Sequence, residues 1–112
     1  MSTTTAYKRI NKHKPFLDLL HSSEKNQQKA LLKTASTEQI RILSEIVLNI
    51  LAGNIPLSSK FKSNLSRYKD RLRDLTDKNS SDETLKKKWN KFPVEILEII
   101  IKIAFKFLKN LI

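Results

Sequence analysis

The side chains best suited to chemistry in this sequence are cationic, and the chemistry they suit is contact with phosphate. Residues 58–78, SSKFKSNLSRYKDRLRDLTDK, hold Lys60, Lys62, Arg67, Lys69, Arg71, Arg73 and Lys78 against Asp70, Asp74 and Asp77; seven bases less three acids leave +4. A second cluster, Lys86, Lys87, Lys88 and Lys91, surrounds Trp89 and precedes Phe92. A third, Lys8, Arg9, Lys12 and Lys14, falls in an N-terminal stretch without an acid. Lysine and arginine bind phosphate oxygens without reading base identity, and such binding weakens as salt rises because it is driven by counterion release. The expected contacts to nucleic acid, DNA first, are therefore Lys60, Lys62, Arg67, Lys69, Arg71, Arg73, Lys86, Lys87, Lys88 and Lys91, joined by Lys8 and Arg9. Asp70 and Asp74 interrupt the stripe, since either can pair with a base nearby on the same helix. A solvated charged face, or an acidic protein or lipid partner, are the other readings these bases allow.

Other chemistries lack their residues. There is no cysteine for a disulfide or thiolate zinc site, and the single glycine, Gly53, excludes glycine-rich phosphate loops and nucleophile elbows. His13 and His21 are too few and too far apart for a metal centre. The serines and acids form no nucleophile–base pattern. No catalytic residue, metal or cofactor is expected, and the chain reads as a non-enzyme. No zinc-finger, homeodomain or RNA-binding sheet motif supports base readout. Trp89 is either a base-stacking residue or a core anchor.

The bulk numbers agree with a small basic domain. The 112 residues carry 22 Lys plus Arg and 11 Asp plus Glu, a formal charge of +11, with 39 % hydrophobic and 29 % charged residues. That length suggests one domain with one modest core. The N-terminus lacks the apolar segment of a secretory signal, and no uncharged apolar stretch is long enough to span a membrane. An intracellular location is the expectation, in cytoplasm, nucleus or virion.

Periodicity supplies the elements. Phe61, Leu65, Tyr68, Leu72 and Leu75 recur at helical spacing, so the basic segment is an amphipathic helix anchored by a thin seam. The whole reads as all-α, a compact bundle of five to six helices near 15–22, 24–34, 37–52, 59–76, 82–91 and 94–112. Residues 1–14 are expected as a flexible basic arm. Residues 15–112 are one helical domain: a core at 15–78, a lysine-rich helix at 79–92 and an apolar amphipathic C-terminal helix at 93–112. Ser36 and Gln39 have capping-box spacing, as do Ser80 and Glu83, and Ser58 or Ser59 caps the basic helix. Gly53 fits a left-handed C-terminal cap before Pro56.

The last segment is different in kind. Thirteen of the nineteen residues from Val94 to Ile112 are apolar, with Glu95, Glu98, Lys102, Lys106, Lys109 and Asn110 in one stripe. Glu98 and Lys102 are spaced as an i,i+4 pair. The segment can complete the core, join copies of the chain or a capsid partner, or lie on an anionic membrane surface. In the last two cases Trp89, Phe92, Phe105, Phe107, Leu108 and Leu111 are the working residues, and the chain is a helical interaction or membrane-active protein.

The block from Phe16 to Leu75 carries a resemblance. The runs Lys29-Ala30-Leu31-Leu32-Lys33-Thr34-Ala35 and Gly53-Asn54-Ile55-Pro56-Leu57-Ser58 stand out. Between and around them lie Phe16-Leu17, Leu20, Glu38-Gln39-Ile40, Leu43, Glu45-Ile46, Leu48-Asn49 and Leu51, and then Leu65, Arg67-Tyr68-Lys69, Leu72-Arg73 and Leu75. This block resembles a family of small basic proteins of adenovirus-like DNA viruses and mobile elements, the Polinton or adintovirus group. The resemblance implies a virion-associated, genome-associated role without enzymatic activity. The family's lysine-rich run leads into Gly-Gly-Phe-Leu-Pro; here Lys86-Lys87-Lys88 and Phe92-Pro93 occupy that place without the glycines. A Gly-Gly processing site is therefore not carried over.

Overall fold

Apolar residues at helical spacing form helices along the whole described chain. The computed structural model describes the backbone over residues 3–110 and side chains over residues 5–109, with no strand among them. Eight helices follow one another: α1 Thr3–Lys12, α2 Lys14–Ser22, α3 Lys25–Thr34, α4 Thr37–Leu51, α5 Ser59–Ser66, α6 Lys69–Asp74, α7 Asp82–Lys91 and α8 Val94–Asn110. The radius of gyration is 12.9 Å, against about 13 Å for a single folded domain of this length.

The expected arm is a helix instead. In α1, Ala6 and Ile10 are completely buried, and α1 packs against α4, α8 and α2. Burying an isoleucine is worth about 1.5–3 kcal/mol, more than the exposed pairs Arg9–Glu45 (3.1 Å) and Lys12–Glu38 (3.2 Å) add. Those pairs instead set direction, because 9 opposite 45 and 12 opposite 38 run α1 antiparallel to α4. Pro15 opens α2, which buries Phe16, Leu17 and Leu20.

Helix α4 is the spine expected of it. Ser36 Oγ accepts from the Gln39 amide at 3.1 Å, and Gln39 Oε1 accepts from the Ser36 amide at 2.9 Å. At its other end Gly53 takes φ 78°. The Gly53 amide donates to the Ile50 carbonyl (3.2 Å) and the Asn54 amide to that of Asn49 (2.9 Å), the double closure of a Schellman motif. Asn54 Nδ2 also donates to Asn49 Oδ1 at 2.9 Å. Ile55 then enters the core.

The basic helix expected over 59–76 is broken in two, which with α1 accounts for the higher helix count. The Tyr68 amide reaches back three residues to the Leu65 carbonyl (2.9 Å), and Tyr68 sits at φ −110°, ψ 14°. Ser66 Oγ takes up the Ser63 carbonyl at 2.8 Å. Serine side chains compete for helical backbone bonds, and Ser66 does so just before the break. The seam itself packs: Leu65, Leu72 and Leu75 are buried, and Phe61 and Tyr68 lie half-buried against the core.

Helix α7 starts at Ser81, not Ser80: Ser81 Oγ accepts from the Thr84 amide at 3.1 Å. Trp89 is fully buried, and its Nε1 donates to Ser44 Oγ at 2.9 Å. A buried indole needs such a partner. Phe92 is buried beside it, with ring centroids 5.5 Å apart.

Helix α8 packs against α1, α2, α3 and α4. Leu97, Ile100, Ile101, Ile103, Ala104, Phe107 and Leu108 are buried, and Phe105 is half-buried against His21. Trp89, Phe92, Phe107 and Leu108, expected at an interaction or membrane surface, are thus core residues of this fold, and Phe105 packs half-buried at its edge; Leu111 lies outside the described residues. The reason is area: a helix this apolar buries most when four neighbours surround it. Among the described residues no helix is long and apolar enough to cross a membrane. Glu98 does not pair with Lys102; it accepts from His21 Nδ1 (2.6 Å) and from Gln28 Nε2 (2.9 Å), tying α8 to α2 and α3.

Candidate nucleic-acid interface

The charges sort into two groups. All eleven carboxylates are engaged among the described residues. Eight pair with lysine or arginine, Glu98 is hydrogen-bonded to His21 and Gln28, Glu24 closes a capping box, and Asp77 accepts from the Asn79 amide. Ten bases are engaged as well: Arg9, Lys12, Lys14, Lys25, Arg41, Arg73, Lys87 and Lys88 with carboxylates, and Arg71 and Lys86 with backbone carbonyls. Ten bases against eleven acids leave −1, so the formal +11 rests on the other twelve of the 22 bases. These are Lys8, Lys29, Lys33, Lys60, Lys62, Arg67, Lys69, Lys78, Lys91, Lys102, Lys106 and Lys109, which make no hydrogen bond or ion pair among the described residues.

The expected phosphate-binding residues divide along this line. Lys8, Lys60, Lys62, Arg67, Lys69 and Lys91 are free. Arg9 is held by Glu45, while Arg73–Asp70 (4.0 Å) and Lys87–Glu83 (3.6 Å) are loose pairs within one helix. Lys88 is three-quarters buried and donates to Asp74 Oδ1 (2.8 Å) and Ser80 Oγ (2.8 Å). Lys86 donates to the Ala35 carbonyl (3.0 Å), the C-cap of α3. These two lysines fasten α7 to its neighbours. Arg71 donates to the Lys91 carbonyl (3.2 Å) and lies over the Phe92 ring, which brings the end of α7 beside α6.

Helices α5 and α6 stand between two grooves whose walls contain no carboxylate. One, of about 300 Å³, is lined by Ser63, Asn64, Arg67 and Tyr68 of the α5–α6 segment and by Ile96 and Ile99 of α8. The other, of about 280 Å³, is apolar at its base (Ile50, Leu51, Leu57, Leu65, Leu72) with Lys62 and Lys69 in its walls. Helical spacing puts Lys60 on the Ser63–Asn64–Arg67 face, one turn earlier. It likewise continues Ile99 into Lys102 and Lys106, and Lys109 follows on the same exposed face of α8. So Lys60 and Lys102 each stand one turn from residues of the first groove, and Lys106 and Lys109 lie farther along α8. Lys8 and Arg9 belong to α1, on the α4 side of the bundle.

Lys102, Lys106 and Lys109 were not expected as contacts. Their spacing of four and three marks a cationic stripe, but it also suits the negative end of the helix dipole. Which use applies depends on what faces the stripe. The acids of α8 lie on the same stripe but are engaged, Glu95 with Lys25 (2.8 Å) and Glu98 with His21. The Lys25 ammonium holds the Glu95 carboxyl below the usual range by hydrogen bond, helped by a backbone amide and by Lys29. The hydrogen bond and charge of Lys12, with His13 behind them, do the same to Glu38.

His13 and His21 each contact one carboxylate, Glu38 and Glu98, and no cluster of three metal-ligating side chains occurs among the described residues. Comparison of the chain with protein-family models, with curated proteins and with solved structures returns no match.

Proposed function

We infer that this protein is a small non-enzymatic binder of nucleic acid, acting without sequence preference through phosphate contacts from the free bases of α5, α6 and α8. A genome-associated role in a virion, as the resemblance over residues 16–75 implies, is the setting proposed for it. The observation that carries this reading is the division of charge. Every described carboxylate is engaged, and the excess positive charge stands on bases without a partner, of which Arg67, Lys62 and Lys69 line two carboxylate-free grooves. Such a surface attracts polyphosphate and needs no rearrangement to bind it.

The test is fluorescence anisotropy on a labelled duplex across a salt series. Five simultaneous phosphate contacts give a log–log slope of about −4.5, a loss of roughly 500-fold between 50 and 200 mM salt. Absence of binding at 50 mM, or affinity that ignores salt, would overturn the proposal.

A further inference from the structure

The groove between α5 and α8 combines unbonded polar side chains with an apolar wall. Its four polar side chains, Ser63, Asn64, Arg67 and Tyr68, make no side-chain hydrogen bond among the described residues. By contrast Asn49, Asn54 and Asn90 bond within the fold, as do Gln28, Arg41 and Arg71. The groove therefore presents unused donors and acceptors on one wall and the apolar surfaces of Ile96 and Ile99 on the other. The Tyr68 ring is braced by an edge contact with Phe92, centroids 6.5 Å apart. The clefts beside α1 include Glu45 or Glu38 in their walls, which repel phosphate. The Lys62–Lys69 groove has little beyond those two ammonium groups and Ser66 to bond a polar ligand.

We propose that this groove takes one base of a single-stranded nucleic acid, against Tyr68, Ile96 and Ile99, with the flanking phosphates on Arg67, Lys60 and Lys102. Each part of a nucleotide meets matching chemistry. A base has an apolar face for the ring and the isoleucines, and polar edges for the Asn64 amide and Ser63 hydroxyl. Stacking on an aromatic tolerates any base, so the site adds preference for unpaired strands without adding sequence preference. The volume of about 300 Å³ suits a group of nucleotide size and excludes a helix. A paired base keeps its faces inside the stack, so duplex would reach only the rim cations. This inference rests on the phosphate-binding reading above and adds the base.

The test compares three labelled probes of 20 nucleotides at one salt concentration: a thymidine single strand, the same backbone with abasic residues, and a duplex. The expected result is binding of the thymidine strand about 5- to 150-fold tighter than the abasic strand, the range for stacking one base. Tyr68→Leu and Asn64→Ala should each narrow that ratio and leave abasic binding unchanged, with thermal melting checking that the variants fold. The wild-type ratio itself needs no variant. Equal affinity for thymidine and abasic strands overturns the base site while phosphate binding stands. A ratio that survives both substitutions in folded protein overturns it too, because the base then binds elsewhere. Failure of all three probes at low salt overturns the phosphate reading and this site with it.

Discussion

Lys86 and Lys102 are both lysines on a basic protein, yet one is engaged within the fold and the other is free, and replacing each by methionine tests whether they differ in role. Lys86 holds the Ala35 carbonyl at the C-terminus of α3, part-buried. Losing a charge-assisted bond there costs about 1–2 kcal/mol. With 112 residues the melting entropy is about 0.24 kcal/mol/K, so Tm should fall by about 4–8 °C. Lys102 is exposed and has no partner, and its replacement should stay within about 0.5 kcal/mol, or 2 °C. Binding should show the reverse. One phosphate contact on a single strand contributes about 0.7 to the salt slope, so Lys102→Met should weaken binding roughly eightfold at 50 mM and threefold at 200 mM salt. Lys86→Met should leave both affinity and slope unchanged well below its Tm. Thermal melts and anisotropy titrations on the same preparations supply both readouts. If Lys86→Met weakened binding as much as Lys102→Met without lowering Tm, the division into engaged and free bases would be wrong.

Three further outcomes follow from the fold. Ser44→Ala strands the buried Trp89 indole N–H and should cost about 1–3 kcal/mol in denaturant unfolding; a neutral result would mean that the indole has another partner. At Gly53, φ is 78° and an added Cβ meets nothing within 4 Å, so Gly53→Ala should lose about 1–2 kcal/mol through the backbone alone, and Gly53→Asn less; equal losses would point to a steric cause. Glu38, held low by Lys12 and His13, and Glu95, held low by Lys25, ionise more readily folded than unfolded. Their contribution is complete above the ordinary glutamate range and is lost as pH falls through it toward the lower folded values. Glu38→Gln should therefore flatten the acid limb of a stability–pH curve, and an unchanged limb would argue against the pair.

Local signals were legible where they act within a few residues. Ser36 with Gln39, Gly53 with its two backbone closures, and the Phe61–Leu75 seam all belong to this kind. Helix α1 escaped because its stripe is only Ala6 and Ile10 in a polar run, and tertiary burial decides such a segment. The break at Tyr68 escaped because the seam's spacing continues across it. For the site, residue type revealed which positions are basic, but not which are already taken. Arg41 meets Asp82, Lys25 meets Glu95 and Lys88 meets Asp74, and no local pattern announces pairings across such separations.

The central place of α8 has a consequence for how the protein is made. Helices α1 to α4 all lean on α8, and a ribosome builds it after every one of them. At about 5–20 residues per second, the interval from the end of α1 at Lys12 to the start of α8 at Val94 lasts about 4–16 s. During it Ile10, Leu17 and Leu20 lack the part of their burial that α8 supplies. Nascent chains stalled at Lys91 should be cut by protease throughout, and protected fragments would refute this. Closure of the core thus comes late in synthesis, and until α8 is made the residues that face it stay exposed.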